Sequence, residues 1–334
     1  MNSLGTASLF FYSKSTTKFI SFPIVDFQLR TSDRLVSGGA GIQAHAKGLF
    51  ILLESSVKTI TCNLPDSLYE ALVERMQADK ATCDHVVSLA LSQCLGKPIH
   101  TLFQVSTSAA LVEGLYQGAV RVSRLLRHGD FGLGTFIDLD GEMVVLDGVC
   151  YRVSSDGNVT TAALDQLIPY AVVTRFSSEF VKRLRHSRSL VELATACNGL
   201  RESDNVFYAF RVAGRFSFVK TRVMKAVHEG TGLKAASSGQ EEFSFEEQEG
   251  TLVGLWSPGF AGSFSVPGYH FHFLSADKKR GGHVLECEAV DVEIAGCVMH
   301  EMHVSLPETA EFLKADLSRD PSADLDSAER NQES

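Results

Sequence analysis

Long apolar runs are missing from this chain. The longest, residues 48–53 and 171–173, fall far short of the roughly 20 residues a membrane-spanning helix needs. Proline is sparse at 8 of 334 residues while apolar side chains reach 44%, which excludes disorder as a global description. The seven cysteines (62, 83, 94, 150, 197, 287 and 297) contain no CxxC pair. An odd, scattered set in a chain of this size reads as reduced thiols, mostly filling a core, in a cytoplasmic protein. Basic stripes are lacking as well. The net charge is −9, made up of +2 over residues 1–55, −1 over 56–98 and −10 over the remainder. A strongly acidic C-terminal portion argues against nucleic acid as its main partner, because phosphate neutralisation needs clustered cations. No Gly-rich phosphate loop and no internal repeat is present, so no nucleotide cofactor is expected.

What remains divides into three segments, in line with about two domains at roughly 150 residues each. Residues 1–55 are Ser/Thr/Gly-rich with little periodicity and are expected to be a flexible leader; Lys14 and Lys18 interrupt its apolar patches, so no clean signal peptide is formed. Residues 56–98 differ in kind. Residues 57–64 alternate polar and apolar side chains, the pattern of a half-buried strand. Leu68, Leu72, Val73 and Met76 then recur at helical spacing. Thr82 is placed to cap a second helix carrying Val86, Leu89, Ala90 and Leu95, which Gly96 and Pro98 stop. Strand, helix, turn, helix in about 40 residues resembles the ribbon-helix-helix fold, in which two chains pair their strands and share one core. That resemblance implies a homodimer. Its DNA-reading positions would be Thr59, Thr61 and Asn63, but the segment is net −1 and only Lys58 flanks the ribbon, so DNA contact, confined to residues 56–98, is not favoured.

Residues 99–334 read as one β-rich unit. Strands are expected over 131–136 and 142–151, joined across the turn signal Asp138-Leu139-Asp140-Gly141, and again over 170–176, 206–212, 250–255, 269–274 and 284–289. Helices are expected over 109–115, 120–127 and 187–197, and the acidic stretch 241–249 as a solvated loop or strand edge. Mixed strands with few helices indicate an α+β architecture around a mixed β-sheet.

The hexapeptide Tyr269-His270-Phe271-His272-Phe273-Leu274 carries the chemistry. On a strand, residues i and i+2 share a face, so His270 and His272 project together while Phe271 and Phe273 pack behind them. The polar loop 275–282 returns the chain as a hairpin, and counting back places His283 about opposite His272. Three imidazoles converging in this way, with open positions left over, are the usual ligand set of a catalytic zinc ion. The plainer alternative is three histidines lining a polar sheet face. His300 and His303, at i and i+3, point to opposite faces of a strand and lack the HExxH spacing, so they read as structural or surface groups.

Beyond this motif, the runs Gly254-Leu255-Trp256-Ser257-Pro258, Val266-Pro267-Gly268 leading into the hexapeptide, and Gly281-Gly282-His283-Val284 closely resemble α-acetolactate decarboxylase. So do Phe103-Gln104-Val105-Ser106-Thr107, Glu113-Gly114-Leu115-Tyr116-Gln117-Gly118, Leu139-Asp140-Gly141-Glu142-Met143 and Pro169-Tyr170-Ala171, in family order across nearly all of residues 101–334. The resemblance implies a zinc enzyme that converts (S)-2-acetolactate to (R)-acetoin and carbon dioxide. It implies metal ligands at His270, His272 and His283, catalytic groups at Arg222, Glu142 and Glu329, and Thr135 beside the substrate. Residues 1–100 lie outside it.

Acetolactate carries its own electron sink, the ketone one carbon from the tertiary alcohol, so neither thiamine nor pyridoxal is needed. A Lewis acid, an arginine to hold an oxyanion and a carboxylic acid to protonate one face suffice. Two other readings use the same histidines: a metal-binding regulator that senses acetolactate or acetoin and reaches DNA through residues 56–98, and a cupin-like enzyme of other substrate class. Arg222 and Glu142, which a sensor does not need, favour the decarboxylase.

Overall fold

The computed structural model describes residues 60–95, 100–228 and 230–329. The leader expected over 1–55 lies outside the described residues.

The N-terminal segment forms two helices, α1 (Asp66–Asp79) and α2 (Cys83–Cys94). Lys80 ends α1 in the left-handed conformation, φ 52°, and its N–H returns to the Met76 carbonyl. The expected strand is corrected in the part described: Ile60–Leu64 form no strand in this single chain. A ladder needs a partner edge, and none of the described residues supplies one. Along the helices, Leu72, Val73, Met76, Val86 and Leu89 are half-buried. Leu68 (54% exposed), Tyr69 (51%) and Leu91 (45%) stand open to solvent.

The chain continues through β1 (Thr101–Val105), α3 (Ser108–Val112), β2 (Val120–Arg121), α4 (Val122–His128), β3 (Phe131–Thr135), β4 (Glu142–Leu146), β5 (Val149–Val153), β6 (Val159–Thr161), β7 (Leu167–Ile168) and β8 (Tyr170–Thr174). There follow β9 (Phe180–Leu184), α5 (Leu190–Asn198), β10 (Phe207–Val223), α6 (Leu233–Ser237), β11 (Glu241–Ser257), β12 (Gly268–Ser275), β13 (Gly281–Met299), β14 (Glu301–Ser305), α7 (Ala310–Lys314) and α8 (Ser322–Glu329). A seven-stranded sheet runs β14-β1-β8-β3-β4-β5-β6. Its β1–β14 pair is parallel and the others antiparallel, which makes it the mixed sheet of an α+β fold. The second sheet runs β10-β11-β12-β13-β9, and β10 also pairs with β13, so the ring β10-β11-β12-β13 closes on itself.

Period-2 alternation sorts each strand between two cores. Leu133, Val144, Tyr170 and Val172 of the first sheet meet Ala209, Val253, Leu255 and Leu274 of the second in the core between the sheets. Alternate residues (Met143, Val145, Ala171, Val173) face α4, and Phe210, Phe271 and Phe273 face α5. Burying each such phenylalanine contributes roughly 1.5–3 kcal/mol.

Two expectations are corrected, and a third is resolved between its alternatives. The strand expected over 142–151 is two, because Asp147 (φ 52°) and Gly148 (φ 79°) turn the chain between β4 and β5. The helix expected from residue 120 starts at Val122, its first two residues pairing with β7. The acidic stretch is the strand edge of its two alternatives. Residues 241–249 continue into 250–257 as one 17-residue strand, where Phe243 and Phe245 stack and Glu242, Ser244, Glu246, Glu247 and Glu249 are exposed.

Candidate active site

The two sheets each bring a row of side chains to the same gap. In the second sheet, Arg222 of β10 pairs with His283 of β13, which pairs with His272 of β12. In the first sheet, Glu142 of β4 pairs with Thr135 of β3, which pairs with Tyr170 of β8. Cross-strand partners share a face, so three residues of each row look into one cavity. It is lined also by His270, Glu329 and an apolar wall of Leu111, Leu139, Met224, Leu233 and Val266.

His270 Nε2 lies 3.1 Å from His272 Nε2 and 3.0 Å from His283 Nδ1. The other nitrogens of His272 and His283 are committed elsewhere. His272 Nδ1–H donates to the Met143 carbonyl at 2.7 Å, and His283 Nε2–H to the Glu329 carbonyl at 3.2 Å. These bonds select the tautomers that aim lone pairs at one another. Burial drives all three imidazoles towards neutrality, His270 to about 3. Neutral nitrogen lone pairs converging within 4.8 Å fit a divalent metal, and such an ion would remove the repulsion between them.

The register depends on Gly282. Its φ of +129° belongs to glycine, and a Cβ there would stand 2.7 Å from the Arg222 carbonyl. This close approach is what seats His283 between β10 and β12.

Arg222, 4% exposed, joins both carboxylates: Nη1 lies 3.3 Å from Glu142 Oε1 and Nη2 lies 3.0 Å from Glu329 Oε2. Both carboxylates flank the histidines, with Glu142 Oε2 3.6 Å from His272 Nε2 and Glu329 Oε2 3.5 Å from His283 Nδ1. Burial pushes the Glu142 carboxyl up to about 7, against the pull of Arg222 and the Met224 N–H. Glu329 ends α8, whose Leu325 and Ala328 bury in the inter-sheet core and so carry the next residue to the site. Thr135 lies at the cavity, but its hydroxyl donates to the Gly141 carbonyl at 2.9 Å and closes the β3–β4 turn.

Every residue expected from the sequence is therefore in one place: His270, His272, His283, Arg222, Glu142, Glu329 and Thr135. His300 and His303 are not. Sequence reasoning missed a role for Tyr170 and the apolar wall. Tyr170 was legible as one position of the strand that pairs with β3, whereas Leu111, Met224 and Leu233 come from unrelated segments with no shared pattern.

Two facing sheets that bring together three buried imidazoles able to hold a metal, a buried arginine and two carboxylates have the makings of an enzyme site in an α+β fold. The model of the α-acetolactate decarboxylase family matches residues 102–319. The chain is 39% identical over 230 residues to the α-acetolactate decarboxylase of Methanosarcina mazei, covering 69% of this chain and 80% of that protein. It is 32% identical over 239 residues to the one from Bacillus subtilis, covering 71% and 94%. The crystal structure of α-acetolactate decarboxylase from Bacillus subtilis superposes with a TM-score of 0.67 at 32% identity, covering 69% of this chain and all of that one. This chain belongs to the α-acetolactate decarboxylase family, and it is a decarboxylase.

Proposed function

We propose that the protein carries out the zinc-dependent decarboxylation of (S)-2-acetolactate to (R)-acetoin and carbon dioxide. The observation that carries this reading is the meeting of three neutral imidazoles, His270 Nε2 lying 3.0–3.1 Å from the other two, with Arg222 and its two carboxylates around one cavity. With both glutamates ionised these groups carry one net negative charge; a divalent ion reverses the sign and suits an anionic substrate.

His270, His272 and His283 would hold the zinc, which supplies Lewis-acid stabilisation of negative charge on substrate oxygens. The protein's own groups do the rest. Arg222 holds oxyanion charge with a planar fork of donors. The bond from the tertiary carbon to the carboxylate breaks, carbon dioxide leaves, and the electron pair moves onto the ketone oxygen, giving an enediolate. A carboxyl group then protonates carbon on one face, which sets the chirality of the product. We assign this to Glu142, which stands on a β-strand inside the sheet framework and is 5% exposed. Glu329, at a helix end, shares Arg222 with it and closes the opposite side. Thr135 shapes the substrate wall.

Residues 99–334 form the catalytic unit in this reading, and residues 56–98 a dimerising appendage. The uncovered Leu68, Tyr69 and Leu91 on α1 and α2 support a homodimer, since a second copy would cover them. Among the described residues no helix is long and apolar enough to cross a membrane. The buried free thiols at Cys150, Cys197, Cys287 and Cys297 suit a reducing cytoplasm.

The deciding experiment is a decarboxylation assay with purified protein before and after chelation, and again after zinc is restored. Activity should vanish and return with about one zinc per chain. Full activity in folded, metal-free protein overturns the reading.

A further inference from the structure

The cavity presents few hydrogen-bond donors. Of its lining side chains, the carboxylates accept, and the imidazole nitrogens facing inward are directed at one another. The Thr135 hydroxyl proton goes to Gly141. Each terminal nitrogen of Arg222 gives one of its two N–H groups to Glu142 or Glu329, and its Nε is sealed inside the protein. An anionic substrate therefore meets a guanidinium whose charge two carboxylates already share. The Tyr170 hydroxyl is a further donor on the lining, and one that no carboxylate neutralises.

Tyr170 is built into the site. It stands in register with Thr135, and through it with Glu142, so its ring leaves the first sheet on the face that carries those two residues. It is 2% exposed, and its ring packs in the core between the sheets. Its phenol has the Ser265 hydroxyl as hydrogen-bonding neighbour, and Ser265 Oγ lies 3.1 Å from Ser257 Oγ. These hydroxyls, both buried, form a short chain that ends at the phenol oxygen. With Ser265 donating to that oxygen, the tyrosine's own proton is free for the cavity. Burial holds the phenol well above its usual range, so the O–H is retained throughout the neutral region.

We propose that Tyr170 is a substrate-binding residue whose hydroxyl donates to the carboxylate of the incoming 2-hydroxy-3-keto acid, the group that departs as carbon dioxide. The role rests on the acetolactate reading of the site. It also has a kinetic signature. A donor whose bond to the carboxylate persists through the transition state and is lost only when carbon dioxide departs binds both states alike, so it contributes to binding and little to the chemical step. A hydrogen bond to a charged acceptor is worth enough to change affinity by roughly 10- to 100-fold.

The test is Tyr170→Phe in the full-length, zinc-loaded protein, which keeps the ring and removes one hydroxyl. The expected result is a KM for acetolactate raised roughly 10- to 100-fold with kcat within about threefold of wild type. Zinc content and melting temperature should be unchanged. Binding by calorimetry adds a readout independent of turnover: 2-hydroxyisobutyrate, which bears the carboxylate and cannot decarboxylate, should bind more weakly to the variant. Acetoin, which lacks the carboxylate, should bind both proteins equally. An unchanged KM, a fall confined to kcat, or equal weakening of both ligands overturns the assignment. Wild-type protein that fails to turn over acetolactate refutes the acetolactate reading instead, so the two failures are told apart.

Discussion

Replacing Glu142 by glutamine separates what this side chain does for the reaction from what it costs the fold. The carboxyl is 5% exposed, and burial raises it from the ordinary 4.5 to about 7 despite Arg222 at 3.3 Å. A carboxyl whose pKa is higher in the folded than in the unfolded chain binds more protons when folded between those two values. Stability is therefore lost as pH rises from about 4.5 to about 7, and above that range the ionised group costs the metal-free fold about 3 kcal/mol. Glutamine mimics the protonated form at every pH. Metal-stripped Glu142→Gln should accordingly match wild type near pH 4 and exceed it at pH 8. At roughly 2–4 °C per kcal/mol for a domain of this size, the gain in Tm is about 6–12 °C. Catalysis should move the other way. Loss of a positioned general acid typically costs roughly 10²–10⁴ in rate, so zinc-loaded variant should keep its metal and lose most acetoin formation. Thermal melts at the two pH values, zinc analysis and a rate measurement complete the comparison. A stability difference between variant and wild type that is the same at both pH values would refute the burial argument, and an unchanged rate would show that another group delivers the proton.

Two further outcomes follow from the structure. Gly282→Ala places a Cβ 2.7 Å from the Arg222 carbonyl at a φ of +129°, and strain of this kind should lower stability by roughly 1–3 kcal/mol in urea unfolding and weaken metal retention; an unaffected midpoint would show that β10 and β13 can part without cost. Removing residues 1–98 should leave active enzyme whose mass by light scattering is that of a smaller assembly. An insoluble or inactive product would make the helical segment part of the catalytic core.

Local pattern carried a large share of this protein. Alternation within the hexapeptide put His270 and His272 on one face and Phe271 and Phe273 on the other, and hairpin counting placed His283 opposite His272, the register the structure has. Such inferences work because strand periodicity and hairpin return are properties of a few neighbouring residues. The same pattern logic failed where pairing partners lie far away. The acidic stretch 241–249 reads equally as a loop or a strand edge until β10 lines its length, and residues 142–151 look like one strand until Asp147 and Gly148 turn the chain. The ribbon at 60–64, lacking a partner edge among the described residues, forms no strand in this single chain.

The chain's sequence by itself determined which side chains are available: two histidines at strand spacing and a third across a hairpin, an arginine and two glutamates, with family motifs in order. Tertiary structure alone decided that they meet. Glu142 and Arg222 are 80 residues apart and Arg222 and Glu329 are 107 apart, yet both pairs are in contact because two sheets face each other and α8 returns over the gap. The same burial neutralises the imidazoles, and the sheet register brings Tyr170 into the row behind Thr135. Burial and long-range register set these properties, and neither is written in the spacing of neighbouring residues.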